Sequence, residues 1–126
     1  AVESAASSVR DLRRNMEGID GEIEVIGGDS ARELPTLGHL DALVVDPPRA
    51  GLAKGVTESI AASKAKRVAY VSCDPATWAR DIARFAEAGY ELVRATPVDL
   101  FPQTFHVETV SILHRSSGRH TSHETR

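Results

Sequence analysis

The sequence predicts an α/β protein built on a mostly parallel sheet, and three observations carry that prediction. Short β-branched apolar runs alternate with segments of helical period along the whole chain. Three of those runs end in turn chemistry: Gly27-Gly28-Asp29, Asp46-Pro47-Pro48 and Ser72-Cys73-Asp74-Pro75. In open α/β sheets the carboxyl ends of the strands are where ligands bind. Finally, 126 residues suffice for one domain with a real core.

Each element has its own signal. Ser4 to Met16 reads as a helix with Val9, Leu12 and Met16 on one face, and Gly18 ends it. Glu22 to Ile26 is the next strand, closed by Gly27-Gly28-Asp29, with a helical turn over Ala31 to Leu34. Ala42 to Val45 is a strand that delivers Asp46, after which Pro47 and Pro48 forbid further pairing. Val56 to Ala62 reads as a helix and Val68 to Ser72 as a buried strand. Asp74 as a cap and Pro75 at the first helical position start a helix running to Ala88, with Trp78, Ile82 and Phe85 on one side and Gly89 as its stop. Glu91 to Thr96 and Phe105 to Leu113 are the last strands, and Ser116 to Arg126 keeps no apolar period and reads as a disordered tail. No internal repeat is present.

Composition narrows the class. No apolar stretch approaches the roughly 20 residues of a membrane helix, and no secretory leader pattern opens the chain. A single cysteine excludes an internal disulfide and fits a reducing cytoplasm. The formal charge of -3 shows no dominant basic field, although Arg10, Arg13 and Arg14, and again Lys64, Lys66 and Arg67, gather locally.

Cys73 is the residue that carries most information. It stands between a strand and a helix start, where helix-terminal amides stabilise an anion, and the thiolate is the nucleophilic form of cysteine. A lone cysteine is commonly a small buried hydrophobe, so the neighbouring motifs decide. They are Asp46-Pro47-Pro48-Arg49-Ala50-Gly51-Leu52, Ser72-Cys73-Asp74-Pro75 and Asp99-Leu100-Phe101-Pro102-Gln103-Thr104-Phe105-His106-Val107-Glu108. In this combination and order the chain closely resembles the catalytic region of the S-adenosylmethionine-dependent RNA uracil-5-methyltransferases, which make 5-methyluridine in transfer and ribosomal RNA. The resemblance runs from Ala1 to Arg115. Asp-Pro-Pro alone is weakly specific; the cysteine motif and the Phe-Pro-Gln-Thr-Phe-His-Val-Glu segment together are strong.

The resemblance implies a Rossmann-like class I methyltransferase sheet with an antiparallel last strand. Residues 1–115 would be part of a catalytic domain and 116–126 the tail. It matches Cys73 to the nucleophile and Glu108 to the base that removes the carbon-5 proton. Glu3, Asp29 and Asp46 match cofactor-side acids, Glu3 toward the ribose hydroxyls, Asp29 toward the adenosine and Asp46 toward the reacting end. Arg49, Phe101, Gln103, Phe105 and His106 are weaker candidates for contact with an extruded uracil or its phosphates. Because Glu3 matches the acid that ends the second strand of this fold, the first strand and its glycine-rich turn are expected to lie outside this chain. That strand is central in the fold, so the Glu22 strand should be separated from the Ala42 strand. A fragment of this kind is expected to be inactive alone and to be open to self-association.

Two other classes compete. An enzyme methylating an exocyclic amino group through Asp46-Pro47-Pro48 would need no thiol, and a truncated, non-catalytic module would turn nothing over. Metal chemistry has little support: His106-Val107-Glu108 lacks the Pro-Cys-x-x-Cys partner of zinc deaminases, and His39, His114, His120 and His123 have no ligand spacing.

Overall fold

The architecture comes from a computed structural model, which describes residues 1–99 and 107–116. The elements are β1 (Val2–Glu3), α1 (Ala6–Met16), β2 (Ile26–Gly27), α2 (Ser30–Glu33) with a 3-10 turn (Leu34–Thr36), β3 (Ala42–Val45), α3 (Val56–Ala62), β4 (Arg67–Ser72), α4 (Pro75–Glu87), β5 (Tyr90–Val98) and β6 (Glu108–Arg115). The strands form two sheets. β1 and β2 pair in parallel, and a four-stranded sheet has the order β3-β4-β6-β5. Within it β3 and β4 are parallel, while β6 is antiparallel to both β4 and β5. The mostly parallel sheet with a reversed last strand is therefore as expected, and no strand pairing joins β1–β2 to β3 among the described residues.

Burial is one-sided. β4 alternates so that Val68, Tyr70 and Ser72 are buried, and Val68 and Tyr70 join a core with Leu52, Val56 and Ile60 from the α3 region and Phe85 from α4. Phe85 sits edge-on between Tyr70 and Tyr90, at centroid distances of 5.9 and 5.8 Å. That arrangement adds stacking energy to the area buried. Val44 of β3 points to the opposite face and is 73% exposed. An apolar run such as 42–45 is the pattern of a strand covered on both faces, yet among the described residues only one face is covered.

Two boundaries differ from the sequence reading for identifiable reasons. The strand expected over Glu22–Ile26 is confined to Ile26–Gly27, because β1 offers only Val2 and Glu3 as ladder partners. The last strand runs on to Arg115, since Tyr90 of β5 pairs with it. Phe105 and His106, at the other end of that expectation, lie outside the described residues, as do positions 117–126 of the expected tail. No helix among the described residues is long and apolar enough to cross a membrane.

Candidate active site

α4 begins with a fully made cap. The Asp74 carboxylate accepts the amides of Ala76 (2.9 Å) and Thr77 (3.2 Å), and Pro75 occupies the position whose missing N–H costs nothing. Ser72 locks the turn just before it, its hydroxyl donating to the Asp74 carbonyl at 3.2 Å. Cys73 is thus presented half-buried between two fixed residues. The first free amides of the helix, expected to face the thiol, are taken by Asp74; what remains at that end is the helix dipole.

β6 brings the second group to the same edge. Its register ends at the pair Ser72 and Thr109, so Cys73, which follows Ser72, and Glu108, which precedes Thr109, stand at the same end of the sheet. Glu108 is paired to Val98 of β5, which holds it from the other side. A third link fixes this geometry: the indole N–H of Trp78, in the first turn of α4, donates to the Ser111 hydroxyl of β6 at 2.7 Å. Val45 pairs with Tyr70, so Asp46 leaves β3 at the carboxyl end next to β4. Asp46, Cys73 and Glu108 therefore converge on one edge.

Glu3 and Asp29 form a separate pair at the carboxyl ends of β1 and β2. Glu3 lies opposite Gly27, and its carbonyl accepts the Gly28 amide at 2.9 Å. One Glu3 carboxylate oxygen accepts the Ala5 amide at 3.0 Å, and Asp29 caps α2 through the Ala31 amide at 2.8 Å. Both acids thus have local structural partners that fix their direction. Arg49 is exposed, and its carbonyl accepts the Thr77 hydroxyl at 3.1 Å. Phe101, Gln103, Phe105 and His106 lie outside the described residues.

Sequence reasoning missed the polar network under the Asp46 turn. Asp81 of α4 is fully buried, and its Oδ2 accepts the Tyr70 hydroxyl (2.6 Å) and the Leu52 amide (2.9 Å). Its Oδ1 faces Arg80 at 3.2 Å and Arg84 at 3.5 Å. Burial, reinforced by the hydrogen bond to Asp81, pushes the Tyr70 phenol well above its ordinary range. The signal was present: Asp81 falls on the Trp78, Ile82, Phe85 face, where a charged residue needs partners.

A mostly parallel sheet with its last strand reversed is the Rossmann-like fold of class I methyltransferases. Fibrillarin, the pre-rRNA processing protein of Methanococcus jannaschii, shares this fold with a TM-score of 0.62 at 18% identity, covering 92% of this chain and 55% of that one. Residues 36–116, well over half of the chain, match the family described as tRNA (Uracil-5-)-methyltransferase, and the chain belongs to that family. The crystal structure of Pyrococcus abyssi tRNA (uracil-54, C5)-methyltransferase in complex with S-adenosyl-L-homocysteine is similar with a TM-score of 0.78 and 33% identity, covering 89% of this chain and 27% of that one. Uncharacterized RNA methyltransferases of Clostridium acetobutylicum (119 residues aligned) and Gloeobacter violaceus (117 residues) are each 46% identical over 91% of this chain and 25% of their own length. The chain thus spans about a quarter of the curated relatives it matches.

Proposed function

We propose that the whole protein transfers a methyl group from S-adenosylmethionine to carbon 5 of a uridine in transfer or ribosomal RNA, with Cys73 as nucleophile and Glu108 as base. The observation that supports this reading is the pairing of Ser72 with Thr109, which brings the end of β4, just before Cys73, beside Glu108 at the start of β6, on the edge where β3 delivers Asp46.

The chemistry needs both groups. Carbon 5 of uracil is a weak nucleophile, and addition of the Cys73 Sγ to carbon 6 forms an S–C bond while the ring electrons move into an enolate. S-adenosylmethionine, when bound, supplies a methyl group activated by its sulfonium. Carbon 5 then carries both the methyl and its original hydrogen. Glu108 takes that proton, the electron pair re-forms the carbon 5–carbon 6 double bond, and the S–C bond breaks to return the thiolate.

The residues at the other strand ends suit the nucleoside part of the cofactor. The Glu3 carboxylate, held at one oxygen by Ala5, can accept ribose hydroxyl hydrogens, and Asp29 projects from the adjacent strand end. The likeness to a solved relative holding S-adenosyl-L-homocysteine supports the assignment. Nucleoside mass spectrometry on RNA treated with the whole protein should find 5-methyluridine, and Cys73→Ala should reduce it to background. A methylated exocyclic amine that survives Cys73→Ala would favour chemistry through Asp46-Pro47-Pro48 instead. No product from the unsubstituted protein would favour a non-catalytic module.

A further inference from the structure

We propose that Asp81 is a positioning residue for the catalytic edge: through Arg80, Arg84 and the Leu52 amide it sets where the turn after Asp46 stands relative to Cys73. The inference rests on the reading of Asp46 as a cofactor-side acid.

Helix α4 starts directly after Cys73 and runs beneath the segment that follows Asp46. Four of its residues, spaced so that they share one side of the helix, grip that segment's backbone. Thr77 donates to the Arg49 carbonyl at 3.1 Å, Arg80 to the Ala50 carbonyl at 2.7 Å, and Arg84 to the Leu52 carbonyl at 3.4 Å. Asp81 accepts the Leu52 amide between them. Three carbonyls and one amide of residues 49–52 are therefore held by a single helix.

Asp81 organises this grip. Its carboxylate orients both arginines, which are 42% and 36% exposed and would otherwise be free to swing into water. The Tyr70 hydroxyl ties the same carboxylate to β4, the strand that ends one residue before Cys73. The space is closed as well: a Cβ on Gly51 would stand 2.5 Å from Asp81 Oδ2 and from Arg80 Nη2. The turn, the helix and the cysteine strand thus share one buried anion.

The test uses the natural full-length protein. Asp81→Asn keeps the shape and can still accept from Tyr70 and Leu52, but its amide nitrogen faces Arg80 and Arg84 with donors against donors. Calorimetry with S-adenosylmethionine should show Kd raised about tenfold, the result of the Asp46 turn standing in its binding position in only about a tenth of the molecules. Hydrogen exchange at Gly51 and Leu52 should quicken, while iodoacetamide alkylates Cys73 at the unsubstituted rate, because Ser72 and Asp74 hold that turn. A merely structural loss would lower the folded fraction and leave Kd alone. Arg80→Met, at a half-exposed site that tolerates truncation, should give a smaller rise in Kd that Arg80→Lys partly reverses. Unchanged Kd and unchanged exchange in both Asp81→Asn and Arg80→Met would overturn the inference while leaving the methyltransferase reading intact. Failure of the unsubstituted protein to bind S-adenosylmethionine would overturn that reading and this inference with it.

Discussion

Gly51→Ala should be far more damaging than a methyl group suggests. Gly51 has φ +81°, a conformation that costs an L-residue about 1–2 kcal/mol. The added Cβ would also lie 2.5 Å from Arg80 Nη2 and Asp81 Oδ2, and 3.3 Å from Thr77 Cβ. The tip of Arg80 can move away, but Asp81 cannot, since the same oxygen accepts from Tyr70 and Leu52. Losing one of those bonds to a buried carboxylate costs about 1.5–3 kcal/mol, so the sum is about 2.5–5 kcal/mol. Gly55 provides the control: its φ is +87° and nothing lies within 4 Å of its Cβ position. Gly55→Ala should therefore cost only the backbone strain, about 1–2 kcal/mol. Urea unfolding of the 126-residue chain measures both. With a slope of about 1–3 kcal/mol per molar, Gly51→Ala should lower the midpoint by about 0.5–3 M more than Gly55→Ala does. Equal shifts for the two variants would refute the claim that the Asp81 network closes tightly on this turn.

Glu108→Gln should stall after methyl transfer, so radiolabelled cofactor and denaturing electrophoresis should reveal methylated RNA still linked to protein; slow turnover with no linked species would reduce Glu108 to a positioning group. Tyr70 and Tyr90 both hold their protons more tightly folded than unfolded, so their contribution is present below the ordinary phenol value of about 10 and is lost as pH rises above it. Tyr70→Phe should flatten that alkaline loss of stability and, at neutral pH, cost about 1–3 kcal/mol by leaving Asp81 short of a donor; an unchanged alkaline slope would contradict the assignment. The chain by itself should bind S-adenosylmethionine weakly and associate through β3, which has no partner on its outer edge among the described residues and whose Val44 is 73% exposed on the sheet face. Sedimentation at rising concentration should show this, Val44→Lys should suppress it, and a monomer that binds cofactor at micromolar Kd would count against it.

Much of this architecture was legible because local chemistry brackets it. β3 and α3 occupy the residues expected, since Asp46-Pro47-Pro48 and Ser63-Lys64 stop each element on the spot. Asp74 and Pro75 announced α4, and the structure gives the carboxylate both capping amides. The β2 boundary was not legible, because a strand reaches only as far as its partner and β1 offers two residues. Asp81 was hidden for a different reason. Its partners Tyr70, Leu52, Arg80 and Arg84 come from three separate segments, and only packing brings them to one carboxylate.

The central claim is that Cys73 adds to carbon 6 of a target uridine, and RNA carrying 5-fluorouridine tests it most directly. Fluorine cannot leave carbon 5 as a proton does, so the protein should remain covalently attached to the methylated RNA. A shifted band should survive denaturing electrophoresis with the unsubstituted whole protein, digestion should map the link to Cys73, and Cys73→Ala should give none. An adduct that persists in Cys73→Ala, or 5-methyluridine formed by that variant at a near-normal rate, would contradict the account.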